Sequence, residues 1–116
     1  MKRVKSSDAQ IIKNSDTSKL LEYLIGLKDK DIDFCINTIS GRYPEKGYCT
    51  NEKCKEICYI LEGNGTLNKK GESIKFEKDD VILIEKEEIY YWNGNCKIIM
   101  ICTPTWYKEQ CKLLDL

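Results

Sequence analysis

The alternation of apolar and polar residues changes character about a quarter of the way along the chain. Residues 1–14 are mostly polar, and residues 15–28 (SDTSKLLEYLIGLK) carry apolar residues at helical spacing. The residues in that stripe are Leu20, Leu21, Leu24 and Ile25. Ser15 or Asp16 can cap the start of a helix and Gly26 can end it. The pattern predicts a short helix over residues 16–25.

From Phe34 onward, short runs of β-branched and aromatic residues alternate with turn-forming residues. The apolar runs are DFCINTI, EICYIL, GTLNK, SIKF, VILIE, IYYW and CKIIMICT. They are separated by SGRYPEKG, EGNG, KKGE, EKDD, KEE and NGN. Seven or eight strands with no helix between them predict an all-β, antiparallel sandwich or barrel. We therefore divide the chain into an N-terminal extension, residues 1–31, and a barrel with a C-terminal tail, residues 32–116.

Composition narrows the functional classes. The chain has 116 residues, the length of one domain, with 19 basic and 19 acidic residues. This balance argues against a nucleic-acid or anionic membrane partner. No window approaches the roughly 20 apolar residues of a membrane span, and no signal peptide pattern opens the chain. We expect a cytoplasmic protein whose seven cysteines, an odd number, are reduced thiols.

Two motifs give the barrel a family resemblance. In YCTNEKCKEICYILEGNG, Glu56 is followed by Gly63 seven positions later, and DDVILIEKEEIYYWNG follows further on. Their order and spacing resemble those of a small single-domain cupin, over residues 32–106. The resemblance implies an antiparallel cupin β-barrel, or jelly roll. It also implies a homodimer, because small single-domain cupins commonly pair through their sheets.

The same resemblance shows where the family's metal ligands are replaced. The first motif of the family has two histidines before the glutamate, at positions that here hold Cys49 and Asn51. Its last histidine corresponds to Tyr90, and this chain has no histidine. The stretches GRYPEKGYCTNEKCKEI and CTPTWYKEQ are similar to a subset of small bacterial cupins that also has tyrosine at this place.

Strand periodicity predicts which side chains share the inner face. Residues two apart on a strand point the same way, so Glu56 and Cys58 share a face, as do Tyr90 and Trp92. If Glu56 faces inward, as the family's glutamate does, it lies among thiols, aromatic rings and aliphatic groups. The candidate ligand-binding residues are Arg42, Tyr43, Cys49, Asn51, Glu56, Cys58, Tyr90, Trp92 and Met100. Arg42 is a candidate to bind an anionic ligand. The alternative is that its side chain is solvated at the surface or forms a local ion pair.

A metal cofactor is not expected. Thiolate and carboxylate together bind zinc, but asparagine is a poor ligand and tyrosine has a pKa near 10. Zinc or another divalent ion remains an alternative, held by Cys49, Asn51, Glu56 and Tyr90. Cys49, Cys54 and Cys58 lack the two-residue spacing of zinc knuckles, so buried thiols are the simplest interpretation.

Three functional hypotheses follow. The first is a metal-free, non-catalytic barrel that binds an unidentified small molecule. The second is an isomerase or lyase acting on a small polar or sugar-like substrate, in which Glu56 and Tyr90 are catalytic and move a proton. The third is a cysteine-based zinc or redox module.

Overall fold

A computed structural model describes residues 1–23 and 29–116 of the chain. The described residues form nine β-strands, with two three-residue 3-10 turns at Ser6–Asp8 and Lys108–Gln110. The strands are β1 Gln10–Ser15, β2 Ser18–Glu22, β3 Asp33–Tyr43, β4 Tyr48–Asn51, β5 Lys55–Lys69, β6 Glu72–Glu77, β7 Val81–Ile84, β8 Ile89–Thr103 and β9 Cys111–Leu114. Within those residues, no helix has the length and apolar character that crossing a membrane requires.

All strand pairs are antiparallel, and β8 is the central strand of the sheet, pairing with three others. Along most of its length β8 pairs with β3 on one side and β5 on the other, and its first residues pair with β4. The order of hydrogen-bonded neighbours is β1-β2-β3-β8-β4-β9, and β5 also pairs with β6 and β7. This curled antiparallel sheet confirms the predicted all-β barrel.

The core lies on the concave face of the sheet. As the period-two pattern predicts, Cys58 and Ile60 on β5 are fully buried, and so is Ile98 on β8. Residues of the opposite parity, such as Ile57, remain exposed. Trp92 closes the core with edge-on contacts to Phe76 and Tyr90, at ring-centroid distances of 5.5 and 6.4 Å.

The predicted N-terminal helix is wrong. Residues 15–18 turn a β-hairpin instead, and β2 covers Ser18–Glu22 and pairs along β3. Leu20 lies on the same side of the sheet as Ser18, whose hydroxyl donates to Asn37 Oδ1 at 2.8 Å. The two adjacent leucines suit a strand with apolar contacts on both faces, and β3 supplies the backbone partners. The last predicted helix residues, Leu24 and Ile25, and the terminating Gly26 lie outside the described residues.

Two predicted turns are also wrong, because EGNG and NGN lie inside long strands. β5 and β8 run continuously through them, with Gly65 opposite Gly94. At Gly63 the chain has a positive φ of +82°, just after a register shift between Ile60 and Glu62. A Cβ on Gly63 would overlap the carbonyl oxygen of Asn95. The glycines therefore permit a bend and a close approach of two backbones.

This contact predicts that Gly63→Ala is far more destabilising than Gly71→Ala. Both glycines have φ +82°, but a Cβ at Gly71 meets nothing within 4 Å. The change at Gly71 should cost about 1 kcal/mol in free energy of unfolding, from the left-handed backbone alone. The change at Gly63 should cost about 3 kcal/mol or more, since a backbone must move. Urea denaturation measures both, and equal losses would contradict the close-approach explanation.

Candidate functional site

Glu56 lies on the inner face, in the middle of the sheet. On β5 it is opposite Ile84 of β7 on one side and Cys102 of β8 on the other. Only 9% of Glu56 is exposed to solvent. A carboxyl group in this position must be neutral or receive compensating hydrogen bonds.

Asn51 joins Glu56 to Tyr90. The register of β4 against β8 pairs Cys49 with Tyr90, so Asn51 lies one inward position further along β4. Asn51 Nδ2 donates to Glu56 Oε1 and to Tyr90 Oη, at 3.4 Å in both cases. We call Asn51, Glu56 and Tyr90 the inner polar cluster.

Burial sets the protonation of this cluster. Desolvation raises the pKa of Glu56 to about 7; the nearby Asp33 adds to the rise, and the hydrogen bond from Asn51 opposes it. Desolvation also raises the pKa of Tyr90 well above its ordinary value, helped by the charge of Glu56. Near neutral pH, Tyr90 therefore keeps its proton, while Glu56 is populated both with and without one.

Gln110 supports the cluster, and the sequence did not point to it. Only 2% of this side chain is exposed. Its Nε2 donates to Asn51 Oδ1 at 2.8 Å, and its Oε1 accepts from the main-chain N–H groups of Lys53 and Cys54, both at 3.2 Å. A single glutamine in a polar tail carries no sequence signal of such a role.

Two further carboxyl groups face the same interior. Asp33 lies opposite Cys102 on β3, and desolvation raises its pKa. Glu22 lies opposite Cys35, and desolvation and then Asp33 raise its pKa to about 7. Asp33 carried no sequence signal of burial, since its strand parity, with Cys35 and Asn37, is no more apolar than that of Phe34 and Ile36. Among the buried polar side chains of the described ranges there is no lysine or arginine.

The cysteines of the interior are protonated thiols. Cys49 Sγ donates to the main-chain oxygen of Tyr90 at 3.5 Å, and burial raises the pKa of Cys49 to about 12. Cys58 is fully buried, which raises its thiol pKa well above the ordinary value. Cys54 Sγ donates to Pro104 O at 3.3 Å. A reactive cysteine needs a lowered pKa, so these thiols have the opposite of redox activation.

The cupin fold commonly holds a metal, and the donor groups here do not fit one. Asn51 turns its NH₂ group, which cannot bind a cation, toward Glu56 and Tyr90. Cys49 and Tyr90 both resist losing the proton that a metal would replace. Across residues 1–23 and 29–116 no group of three or more histidine, cysteine, aspartate or glutamate side chains could hold a metal ion.

The remaining candidate residues divide between the two faces of the sheet. Trp92 and Met100 are buried in the core, and Tyr43 packs against it, with its pKa raised by desolvation to about 12. Arg42 lies on the other face, away from the inner polar cluster. Its guanidinium donates to Pro44 O at 2.6 Å and to Gly47 O at 2.8 Å, and stacks 3.8 Å from the ring centre of Tyr91.

A cleft between the β5–β6 hairpin and β7 reaches Tyr90, one member of the cluster, from outside. Its volume is about 90 Å³, enough to hold water. Its lining residues include Leu67, Ile84 and Tyr90, which are buried. Lys69 and Glu88 also line it and form an ion pair of 2.8 Å. Tyr90 thus contacts both the cleft and Asn51.

The chain has the cupin fold, as comparison with solved structures shows. Pac13, a nucleoside dehydratase from Streptomyces, matches with a TM-score of 0.86 at 12% identity, over 98% of this chain and 91% of that one. The polyketide cyclase RemF from Streptomyces resistomycificus matches with a TM-score of 0.77 at 14% identity, over 100% and 87% of the two chains. An RmlC-like cupin from Shewanella frigidimarina gives 0.69 at 14% identity, over 88% and 89%.

No protein-family model and no curated protein matches the sequence itself. The structural likeness therefore confirms the resemblance at the level of the cupin fold. At identities of 12–14% it establishes no function. Function has to be argued from the residues of the site.

The raised pKa of Glu56 predicts that stability falls as pH rises from about 4.5 to about 7. In this window the unfolded chain releases the glutamate proton while the folded chain keeps it, so the free energy of unfolding decreases. Above pH 7 both states are ionised and the contribution levels off. Glu56→Gln should remove a decrease on the order of 3 kcal/mol, leaving the slope that Glu22 and Asp33 contribute through their own raised pKa values.

Urea denaturation between pH 4.5 and 8 measures this slope. Glu77→Gln is the matched control, because Glu77 is exposed on β6. An unchanged slope in Glu56→Gln would show that Glu56 titrates normally in the folded protein.

Proposed function

We propose that the barrel binds a small, uncharged polar molecule through the inner polar cluster, without a metal. The observation that carries this proposal is the meeting of three polar side chains at long contacts of 3.4 Å, one of which, Tyr90, lines the cleft. Hydrogen bonds of this type are usually near 2.9 Å, so these long contacts leave capacity for a ligand. Buried polar groups that bond each other weakly gain most from a new partner.

The charge of the interior restricts the ligand. Glu56 and Asp33 are buried, Glu22 is half-buried, and the positive charge of Arg42 is on the other face. An anionic ligand would meet repulsion from any of these carboxyl groups that is ionised. A neutral molecule with hydroxyl groups suits the site better, since hydroxyls both donate and accept.

The ion pair at the cleft limits how a ligand enters. A typical ligand pocket has a volume of about 300–1,000 Å³, whereas the cleft has about 90 Å³. A sugar or nucleoside therefore needs Lys69 and Glu88 to separate as it enters. This half-buried pair is still open to solvent, and such pairs contribute only modestly to stability, so separating it costs little.

A second candidate function is acid–base catalysis, favoured by one specific observation. The Glu56 carboxyl group, with a pKa of about 7, exchanges a proton readily at neutral pH. Tyr90 accepts a hydrogen bond from Asn51, the same residue that donates to Glu56. In a dehydration, Glu56 would take a proton from carbon as the C–O bond breaks, then pass it to the departing hydroxide to form water. Tyr90 would hold the substrate oxygen. Pac13, which has the same fold, is a nucleoside dehydratase.

Binding predicts thermal stabilisation by neutral probes and not by their phosphates. Uridine and D-ribose, each compared with its 5′-phosphate at millimolar concentration, are suitable first probes because uridine is a ligand of Pac13. A neutral probe that binds should raise the melting temperature by several degrees. Tyr90→Phe should weaken its binding about tenfold, through loss of one hydroxyl.

Tyr91→Phe is the matched control, since Tyr91 is adjacent in sequence and faces the other way, against Arg42. Equal weakening by both variants, or tighter binding of the phosphates, would contradict the proposed site.

Glu56→Gln separates the two candidate functions. A binding barrel should keep its affinity for a neutral ligand within a few fold, because an amide still accepts and donates hydrogen bonds. An acid–base enzyme should lose at least about a hundredfold in turnover while it still binds its substrate. Calorimetry gives the affinity, and mass spectrometry of the incubated ligand gives the turnover.

For the assembly, we propose a homodimer that pairs through the convex face of the sheet. One row of side chains crosses six strands in direct register: Ile11, Leu21, Ile36, Ile99, Tyr59 and Val81. The adjacent row is Phe34, Ile101, Ile57 and Leu83. Ion pairs border these two rows on either side, Lys97–Glu62 and Lys55–Glu85.

An apolar centre with a charged rim is typical of a protein interface. Because the two rows are uncharged along their length, the surface is complementary to itself, which favours a second copy as the partner.

Ile57→Lys should convert the dimer into a monomer. Ile57 is 46% exposed at the centre of this face, so a lysine there would bury a charge against its own copy. Light scattering should give twice the 13.5 kDa chain mass for the wild type and one chain for the variant. Leu113→Lys on β9 is the control, because Leu113 is 69% exposed outside the two rows. A monomeric wild type would refute the dimer.

A further inference from the structure

We propose that Gln110 is a positioning residue that fixes which end of the Asn51 amide faces the inner polar cluster. In this arrangement Asn51 is a hydrogen-bond donor to both Glu56 and Tyr90. A ligand in this site must then supply a hydrogen-bond acceptor for the Tyr90 hydroxyl and a hydrogen-bond donor for Glu56. The ligand part rests on the proposed binding function, whereas the positioning part does not.

The orientation of Gln110 is determined by the main chain. Its Oε1 accepts from the N–H groups of Lys53 and Cys54. The reversed amide would place an NH₂ group against two N–H donors, so both hydrogen bonds would be lost in a buried position. The two main-chain donors therefore allow one orientation of the glutamine.

The orientation of Asn51 follows from that of Gln110. Gln110 Nε2 is a donor, so the Asn51 atom that it contacts must be an acceptor. That atom is Asn51 Oδ1, at 2.8 Å. The NH₂ group of Asn51 is then left facing Glu56 Oε1 and Tyr90 Oη. The chain of hydrogen bonds runs from the main chain of residues 53 and 54 through Gln110 to Asn51.

This polarity decides what Tyr90 and Glu56 can do. Because the Tyr90 oxygen accepts a hydrogen bond from Asn51 Nδ2, its own hydroxyl hydrogen points elsewhere. Without a ligand, that hydrogen is donated to the thiol of Cys49, which is a weak acceptor. A ligand oxygen is a better partner than sulfur. The reversed Asn51 would instead take the Tyr90 hydrogen and turn an oxygen toward an ionised Glu56.

The C-terminal segment is thus part of the site. Gln110 ends the 3-10 turn that precedes β9, and its main-chain oxygen accepts from Glu52 N at 2.9 Å. β9 pairs along β4, with Cys111 opposite Asn51. This second attachment holds the glutamine backbone beside the residues that its side chain contacts.

NMR of the ligand-free protein tests the orientation directly. In the wild type, the side-chain NH₂ protons of Asn51 should show nuclear Overhauser contacts to the Tyr90 ring and the Glu56 side chain. Their absence, with contacts to the Gln110 side chain instead, would overturn the proposal whether or not any variant folds.

Gln110→Glu is the decisive variant. A carboxylate at position 110 still accepts from the two main-chain donors but also needs a donor from Asn51, so the amide should reverse and its contacts to Tyr90 should disappear. Retained contacts at a pH high enough to ionise that carboxyl, about pH 9, would overturn the proposal. Gln10→Glu makes the same chemical change at an exposed position of β1 and should alter neither signal.

The proton affinity of Glu56 gives a second readout, through its carboxyl carbon signal against pH. Gln110→Met removes the fixed orientation without adding charge and should raise that affinity about tenfold, as the ionised carboxylate loses a donor. Unchanged titration in Gln110→Met would overturn the positioning role. The other titratable groups near Glu56 are Asp33, Cys35 and Tyr43 on β3, Cys49 on β4, Cys54 before β5, Cys58 on β5, Tyr90 and Cys102 on β8, and Cys111 on β9.

The two proposals fail separately. If Asn51 has the expected orientation and no neutral molecule binds, the binding function fails and the positioning stands. If a neutral ligand binds while the Asn51 contacts are reversed, the positioning fails and the binding stands.

Discussion

The structure depends on the long, two-sided pairing of β8. With β3 on one side and β5 on the other, every inward residue of β8 from Trp92 to Cys102 has a cross-strand neighbour in both directions. One such row is Asp33, Cys102 and Glu56, which places two carboxyl groups on either side of a thiol. The close approach at Gly65 and Gly94 lets both long strands bend together, and this bend curls the sheet around the core.

Enclosing carboxyl groups in such a core has a definite electrostatic consequence. The same desolvation that keeps the thiols and Tyr90 protonated raises the pKa of Glu56 toward neutrality. Asn51 opposes that rise with one long hydrogen bond. The interior is therefore unsuited to anions, to thiolate chemistry and to a cation held by these donors, and it is suited to neutral groups that exchange hydrogen bonds.

The site combines distant parts of the chain on a shared scaffold. Asn51 comes from β4, Glu56 from β5, Tyr90 from β8 and Gln110 from the turn before β9. Other cupin-fold proteins, among them a nucleoside dehydratase and a polyketide cyclase, show that this barrel supports different chemistries. In this chain, the resemblance implies that a thiol (Cys49), an amide (Asn51) and a phenol (Tyr90) stand at the positions of the family's histidines.

The sequence by itself determined the all-β class and the inner face, because strand parity is a local property: it orients Glu56, Cys58 and Ile60 together wherever the strand lies. It did not determine the strand at residues 18–22, since a pair of leucines fits a helix equally well until β3 offers backbone partners. Nor did it reveal that EGNG continues a strand, because glycine marks both a turn and a close approach. Only the tertiary structure decided the pKa of Glu56 and the role of Gln110, since burial and contacts between residues 51 and 110 arise when the sheet closes.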